Sequence, residues 1–292
     1  MRALGTTQVL VPETEIYVGR SSELARLQDA IRKRESMLIW GLPDSGKSEL
    51  VLRAISQVPA TIRKQCVCAT GNGSPQEILR SITRGFAEDP LFRSKFRAET
   101  GYGASFAQWI KHQSSLRLRG LFYRAAGAGK YWIFLEDLAP MTHTIARIMK
   151  QLTLNQETPV YAVANGWTYK ELGHGAQLYW NDRQRLEVGA LPLPAAKELL
   201  EWAIRRFGLA QFDLNGFRED ILQFSGLLPG AILRMCAAAS DNRYQFDGRI
   251  KTKLLHVDYL MKHCRQSALA ADVHPSRASH PHTLRTHFRG DF

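Results

Sequence analysis

One segment of the chain has the residue types and spacing needed to bind the phosphates of a nucleoside triphosphate. It contains, in order, Gly41, Leu42, Pro43, Asp44, Ser45, Gly46, Lys47, Ser48 and Glu49. Its first eight residues fit the pattern G-x-x-x-x-G-K-[ST], in which backbone N–H groups surround the phosphates, the lysine supplies positive charge and the hydroxyl binds Mg²⁺. We therefore expect residues 41–49 to bind phosphate, with Lys47 against the β- and γ-phosphates and Ser48 on the metal. A Gly-rich turn without a ligand is the alternative, and it would leave Lys47 and Ser48 without a role.

A second segment ends in two adjacent carboxylates. Residues 131–135 are apolar, and Glu136 and Asp137 follow them. Such a run is typical of a buried strand in a parallel sheet, and ligands collect at the carboxyl ends of these strands. We expect Glu136 to hold the metal and its water shell, and Asp137 to act on the water that attacks the γ-phosphate. An ordinary strand-to-loop edge can end in the same way, but the phosphate-binding pattern upstream favours the catalytic interpretation.

The surrounding elements must bring these segments to one edge of a sheet. The residue pattern predicts strands at 36–40, 63–70, 131–137, 159–164 and 186–191, with helices between them that include one at about 105–126. Strands that alternate with helices predict an α/β fold, a doubly wound parallel sheet over residues 1–191. Asn165 follows the strand at 159–164, where its amide would lie between the γ-phosphate and the attacking water. An Asn-Gly turn with Gly166 explains the same residue equally well.

Helical periodicity replaces the strand pattern after residue 191. Helices are expected from Pro194, near 217–224, from Pro229 and over 250–264, which predicts an all-helical domain at 192–266. Residues 267–292 are rich in Ser, His, Pro and Arg, and we expect a disordered basic tail. Metal binding by the tail histidines is a weaker alternative, because no partner ligands have suitable spacing.

The composition is that of a globular chain with a bias toward polyanions. Hydrophobic residues make up 45% of the 292 residues, which excludes a mainly disordered or collagen-like chain. No apolar stretch reaches the roughly 18 residues of a membrane span, so a cytoplasmic location without membrane contact is expected. The four cysteines are too scattered for a disulfide framework or a zinc site, and Cys66 and Cys68 are expected to pack as small apolar residues.

The formal net charge is +12, from 39 Lys and Arg against 27 Asp and Glu. Basic residues recur at 80–97, 117–124 and 249–265. Each group by itself is explained by a solvated helix face. The positive charge of the chain as a whole fits contact with nucleic acid as well as it fits a solvated surface.

The order of these motifs resembles that of the AAA+ P-loop ATPases, in particular the Orc/Cdc6-like and STAND-like branch. The resemblance covers residues 16–264. Val18 and Gly19 match a VGR-x-x-E-L box whose backbone borders the adenine, residues 41–48 match Walker A and residues 133–137 match Walker B. Asn165 matches sensor 1, and the turn from Gly226 to Pro229 resembles the one near sensor 2, which would make Arg234 the sensor 2 arginine. The resemblance implies ATP and Mg²⁺ as cofactors, bound between an α/β core and a C-terminal helical lid.

The resemblance also assigns roles to two arginines. Arg183 and Arg185 precede the last sheet strand, where this family keeps the arginine finger that acts on a neighbouring subunit and can raise the rate by about 10³ to 10⁵. Surface cations at a strand entry are the alternative for both.

Three departures from the family pattern favour slow hydrolysis or a switch-like use of ATP. Asp44 replaces a small loop residue, and its charge is unfavourable near phosphate unless it points outward. Glu136 and Asp137 reverse the usual order of Asp and Glu. The turn before Pro229 has one residue more than the family pattern.

The leading hypothesis is therefore an ATP-hydrolysing switch that converts the ATP or ADP state into lid angle and homo-oligomer assembly. A nucleotide-dependent DNA-binding module is one alternative, and a defence or signalling ATPase that acts on a protein effector is another. A small-molecule kinase is disfavoured, because it would not need the Glu136-Asp137 strand followed by an all-helical domain.

Overall fold

A computed structural model of the chain describes residues 16–86, 106–128, 131–155 and 158–261. The N-terminal residues 1–15 and the predicted tail at 267–292 lie outside these ranges. Five parallel strands form the main sheet: β1 (Met37–Trp40), β2 (Cys66–Thr70), β3 (Trp132–Glu136), β4 (Val160–Ala164) and β5 (Arg185–Glu187). Their spatial order is β2-β3-β4-β1-β5, so β1 and β3 flank β4. The predicted α/β, doubly wound parallel sheet is confirmed.

Helices cover both faces of this sheet. On one face lie α1 (Ser21–Lys33), α2 (Lys47–Gln57) and α3 (Ala60–Arg63). On the other lie α4 (Pro75–Phe86), α5 (Phe106–Lys111), α6 (Ser115–Ala128) and α7 (His143–Asn155). Each strand buries alternate side chains against one of these two layers, since neighbouring residues in a strand point to opposite faces. A short helix α8 (Tyr169–Leu172) and two 3₁₀ turns, at His174–Tyr179 and Asp182–Gln184, lead into β5.

The C-terminal part has its own hydrophobic core. It comprises α9 (Leu193–Arg206), α10 (Phe217–Phe224), α11 (Pro229–Ala239) and α12 (252–261). The prediction that it is all-helical is wrong, because a two-stranded hairpin of β6 (Gln245–Phe246) and β7 (Arg249–Ile250) precedes α12. Asp247 and Gly248 turn this hairpin with φ of 49° and 69°, a conformation that Asp-Gly pairs favour. The predicted helix at 250–264 therefore begins only at residue 252, and residues 262–264 lie outside the described ranges.

Three predicted elements of the core have different bounds in the structure. The strand predicted from residue 63 begins at Cys66, because Ala60–Arg63 forms a helical turn after Pro59. The single helix predicted at about 105–126 is two helices, since Ser114 caps a new one through the backbone N–H of Arg117 (3.4 Å). The strand predicted at 186–191 is Arg185–Glu187, after which the chain turns toward the C-terminal part.

The strand register places the functional segments at one edge of the sheet. Trp40, the last residue of β1, pairs with Ala164 of β4 and Glu187 of β5, and Leu135 of β3 pairs with Ala162. Glu136, Asn165 and the loop after Trp40 therefore leave the sheet at similar heights. Within the described ranges, no helix combines the length and the apolar character that a bilayer crossing needs.

Candidate functional site

The loop at 41–46 joins the carboxyl end of β1 to the first turn of α2. Gly46 caps this helix in a left-handed conformation (φ 87°), and its carbonyl accepts from the N–H of Leu50 at 3.0 Å. A Cβ on Gly41 would lie 2.2 Å from the backbone oxygen of Val188. Both glycines are thus required by backbone geometry, and the loop can present its N–H groups in front of a helix N-terminus.

Lys47 occupies the centre of this loop. The residue is 8% exposed, and its Nζ donates to the backbone oxygens of Gly41 (2.8 Å) and Leu42 (2.7 Å). Burial lowers the pKa of Lys47 to about 8, and the nearby Asp137 carboxylate opposes that shift. A bound phosphate would replace the two carbonyls as acceptor and favour the charged lysine.

The two carboxylates at the end of β3 differ in position. Trp132 and Phe134 pack on the α1–α2 layer, and strand alternation directs Glu136 to that same layer, toward the helix that begins with Lys47 and Ser48. Ser48 is exposed on the first turn of α2. Asp137 leaves the strand in a left-handed conformation (φ 53°), is exposed and acts electrostatically on Lys47. Asn165 is exposed at the end of β4, between these carboxylates and the loop.

Asp44 turns away from the phosphate side and contacts the C-terminal part of the chain. It adopts a left-handed conformation (φ 67°), and its side chain is only 5% exposed. Its carboxylate forms an ion pair with Arg234 of α11 and accepts a hydrogen bond from the Tyr259 hydroxyl of α12 at 2.8 Å. Its backbone oxygen accepts from the N–H of Gly230 at 2.9 Å. Two helices of the C-terminal part, α11 and α12, therefore contact the loop. Arg234, which was predicted to sense the nucleotide, is bound to Asp44.

A cleft opens beside the loop, between the sheet domain and the C-terminal helices. Its empty volume, which includes space open to solvent, is about 690 Å³. Val18 lines it, and Gly19, which the family resemblance also places beside the base, lies at its edge against Ala195 of α9. The other lining residues are mostly apolar: Ile16, Tyr17, Arg20, Ser45, Gly46, Glu49, Leu191, Leu199, Pro229, Gly230 and Leu233.

The residues present fit a nucleotide with Mg²⁺. Tyr17 Oη and Ser45 Oγ line the cleft, are buried and have no hydrogen-bond partner among the described residues. Buried polar atoms of this kind call for a ligand or water. No group of three or more His, Cys, Asp or Glu in the described ranges could hold a metal without other ligands. Ser48 and Glu136 would therefore hold Mg²⁺ only together with phosphate oxygens and water, which is the ordinary mode for this ion.

The two arginines before β5 are in different situations. Arg185 donates to the backbone oxygens of Tyr179 (2.7 Å) and Trp180 (2.9 Å) and to Asp182 Oδ1 (3.0 Å), and its guanidinium lies 4.3 Å from the ring centroid of Trp167. These contacts give Arg185 a structural role in its own chain. Arg183 is exposed.

Sequence reasoning missed three residues that shape the site. Arg20 is 6% exposed and joins Glu23 (2.9 Å) to the backbone oxygens of Ser45 and Gly189, so it fixes the base of the loop. The position of Arg20 in the VGR box is the sequence signal that could have identified it. Tyr17 and Tyr259 carried no such signal, because nothing local shows which distant backbone a tyrosine will face.

Comparison with known proteins supports the fold at a distance. No protein-family model matches the chain, and no curated protein matches it by sequence. Among solved structures, the chain is similar to the Walker-type ATPase of Pyrococcus abyssi, with a TM-score of 0.57 and 12% identity over 91% of this chain and 79% of that one. This likeness establishes an α/β P-loop core.

Proposed function

We propose that the chain binds ATP with Mg²⁺ between the sheet and the C-terminal helices, hydrolyses it slowly, and uses the nucleotide to change how these helices hold the phosphate loop. The observation that carries the proposal is the buried Lys47, which lies in a glycine-bounded loop with the Asp137 carboxylate nearby. A buried amine that bonds only backbone carbonyls loses solvation, and a triphosphate would compensate for that loss.

Each residue at the site has a proposed role. Residues 41–49 surround the phosphates, Lys47 neutralises the β- and γ-phosphates, and Ser48 and Glu136 hold the metal with its water. Asp137 accepts a proton from the attacking water, and Asn165 orients that water. Val18 and Gly19 border the base at the mouth of the cleft.

Slow hydrolysis follows from the position of Asp137. Asp137 leaves the strand with a φ of 53°, a backbone conformation that costs energy for most residues. This conformation fixes the direction of its carboxylate. Asp137 also interacts with Lys47 in the absence of phosphate, so it must change partner before it can act as a base. We therefore expect a switch whose ATP-bound state is long-lived, as in the Orc/Cdc6-like and STAND-like ATPases that the motifs resemble.

The test is nucleotide binding by Lys47→Ala, with Lys64→Ala as a matched control. Lys64 is an exposed lysine of the same domain that lies outside the cleft. Titration with a fluorescent ATP analogue should show loss of binding in Lys47→Ala and an unchanged Kd in Lys64→Ala. Equal Kd values for the wild type and Lys47→Ala would refute the proposal.

Assembly is a second part of the proposed function, and Arg183 is the observation that favours it. Its exposed side chain lies before β5, whereas Arg185 is committed to its own chain. In an ATP-bound oligomer, Arg183 could reach the γ-phosphate of a neighbouring copy. Mass photometry with and without ATP should show a larger particle for the wild type, and Arg183→Ala should lower ATP turnover within it. A monomer under both conditions would remove this role.

A further inference from the structure

Among the described helices that cover the sheet, the excess of positive charge lies mainly in one of the two layers. The layer formed by α4, α5, α6 and α7, here termed the cationic layer, carries eight Arg and Lys residues and a single carboxylate, Glu77. The opposite layer of α1, α2 and α3 carries six basic residues and three carboxylates. Two of those three carboxylates form ion pairs along their own helices, Lys33 with Asp29 and Arg53 with Glu49. A solvated face that only needs solubility would resemble the second layer, with mixed signs.

The cationic layer is one continuous surface. Its four helices share a hydrophobic core over one face of the sheet. Arg80 of α4 donates to the backbone oxygen of Lys111 of α5 at 2.6 Å, and the Arg117 guanidinium of α6 lies 5.6 Å from the Trp109 ring centroid of α5. Between α6 and α7, the Tyr123 hydroxyl bonds Gln151.

Most of these cations are directed to solvent. Six of the eight are exposed, and Arg80 and Arg119 are half-buried; the exposed ones are Arg84, Lys111, Arg117, Arg124, Arg147 and Lys150. Arg147 and Lys150 are three residues apart on α7 and so lie on one side of that helix.

Helix α6 has a feature that its own packing does not explain. Arg117, Gly120, Arg124 and Gly127 follow one another at helical spacing, and all four are exposed. A Cβ on Gly120 would meet nothing within 4 Å, yet glycine inside a helix costs about 1 kcal/mol relative to alanine. A glycine between two exposed arginines allows the backbone of a partner to come close to the helix.

We infer that the cationic layer binds the sugar–phosphate backbone of duplex DNA, without regard to base sequence. The 14 residues of α6 extend about 21 Å, a length along which a duplex presents about twelve phosphates, roughly half of them on the near side. The six exposed cations of the layer are similar in number. The exposed cations are spread over four helices, an arrangement that suits contacts with phosphates, so we expect the affinity to come from the phosphates and not from the base sequence.

Two other polyanions fit this surface less well. Single strands are bound by stacking of bases on exposed aromatic rings. In the cationic layer, the aromatic side chains of the described helices are buried or half-buried, namely Phe86, Phe106, Trp109, Phe122 and Tyr123. A membrane surface would favour a contiguous apolar face beside the charges, whereas the exposed large apolar residues of the layer, Leu116 and Leu154, lie on different helices.

The inference goes beyond the proposed ATPase function and is independent of it. The cationic layer lies over a face of the sheet, whereas the nucleotide site lies at the carboxyl edge of the strands. DNA binding should therefore occur without nucleotide and should survive Lys47→Ala, so failure of one proposal leaves the other open to its own test.

The experiment measures the Kd for an arbitrary 30-base-pair duplex as a function of salt. Arg147→Gln with Lys150→Gln should weaken binding about 30- to 100-fold at 0.1 M salt and lower the slope of log K against log salt by about 2, because two phosphate contacts are lost. Arg32→Gln in α1 with Lys64→Gln at the end of α3 removes the same charge from the opposite side of the sheet and should leave the slope unchanged. A second duplex of unrelated sequence should bind the wild type with the same Kd.

A second pair of substitutions tests whether the loss of binding is only a local effect of the changes in α7. Arg84→Gln with Arg117→Gln, on α4 and α6, should lower the slope by a similar amount while the circular dichroism spectrum stays that of the wild type. Equal losses in the control pair and the two test pairs would overturn the inference, as would an absence of duplex binding at low salt. Binding to phosphatidylserine vesicles without binding to DNA would overturn it as well.

Discussion

At Gly41 the neighbouring backbone leaves no room for any side chain. The Cβ of an alanine would lie 2.2 Å from the oxygen of Val188 and 3.1 Å from Ser45 Oγ. A backbone oxygen that belongs to the chain leaving β5 cannot move aside cheaply. We therefore expect Gly41→Ala to lower the free energy of unfolding by about 1–3 kcal/mol and to weaken ATP binding, because the loop would shift away from Val188.

Urea denaturation and nucleotide titration measure both effects, and Gly120→Ala is the matched control. Gly120 is exposed within α6 with nothing near its Cβ position. The same substitution there should raise the free energy of unfolding by about 0.5–1 kcal/mol and leave ATP binding unchanged. If both variants behave alike, the steric argument at Gly41 fails.

Individual residues of the site were predictable from sequence to different degrees. Gly41, Lys47 and Ser48 were predictable because a phosphate imposes local chemistry at a fixed spacing. The direction of Asp44 was left open by the sequence, which indicated only that its charge is unfavourable near phosphate unless the side chain points outward. Its partners Arg234 and Tyr259 were not predictable as partners, because they come from helices about 200 residues away in the chain, and their placement depends on packing of the whole molecule.

At the scale of elements, α1 is fastened to the sheet by two buried side chains. Trp132 of β3 donates its indole N–H to the backbone oxygen of Ile31 at 2.9 Å, and the Tyr161 hydroxyl of β4 donates to that of Ala30 at 3.1 Å. Both acceptors lie in the last turn of α1 and also accept backbone N–H groups, Ala30 from Glu35 (2.9 Å) and Ile31 from Arg34 (3.3 Å), so the two side chains add a second hydrogen bond to each carbonyl. We expect Trp132→Phe with Tyr161→Phe to lower the free energy of unfolding by about 2 kcal/mol, roughly one for each hydrogen bond.

Tyr169→Phe is the control for this pair. Its side chain is 61% exposed, and its hydroxyl lies 3.3 Å from Nε2 of His174. Chemical denaturation should place this variant within about 0.5 kcal/mol of the wild type. A loss in the double variant no larger than in Tyr169→Phe would show that the two hydrogen bonds do not stabilise the docking of α1.

The elements that sequence reasoning missed are those decided by local turns. Strands β1, β3 and β4 were predicted within a residue or two, because continuous apolar runs are typical of buried parallel strands. The hairpin before α12 was missed although Asp247 and Gly248 signalled a turn, since its strands have only two residues each. The break between α5 and α6 was missed because apolar periodicity continues across it, and only Ser114 marks the new start.

At the scale of the whole molecule, a ligand that bridges two hydrophobic cores should stabilise both. The cleft is lined from the sheet domain by Val18 and Ser45, and from the C-terminal helices by Leu199 and Leu233. With ATP and Mg²⁺ at about 100 times the Kd, we expect the free energy of unfolding to rise by about 2.7 kcal/mol, which raises Tm by about 4–5 °C. Differential scanning fluorimetry measures the shift. EDTA should remove much of it, and Lys47→Ala should abolish it; a shift that persists in Lys47→Ala would place the ligand elsewhere.

We expect the ion pair between Asp44 and Arg234 to compete with ATP binding. Without phosphate, the Arg234 guanidinium is held by a carboxylate that belongs to the phosphate loop, and Tyr259 completes the contact. If Arg234 senses the γ-phosphate, it must leave Asp44 when ATP binds, so the ion pair opposes ATP binding.

Asp44→Asn keeps the shape and tolerates the same left-handed backbone, yet it removes the negative charge. We therefore expect Asp44→Asn to bind ATP about tenfold more tightly and Arg234→Gln to bind it more weakly, opposite effects of breaking one ion pair. Asp241→Asn, an exposed carboxylate of the C-terminal part, should leave the Kd unchanged. Weaker ATP binding by Asp44→Asn would mean that the ion pair organises the loop for phosphate, and the competition between Asp44 and ATP would be wrong.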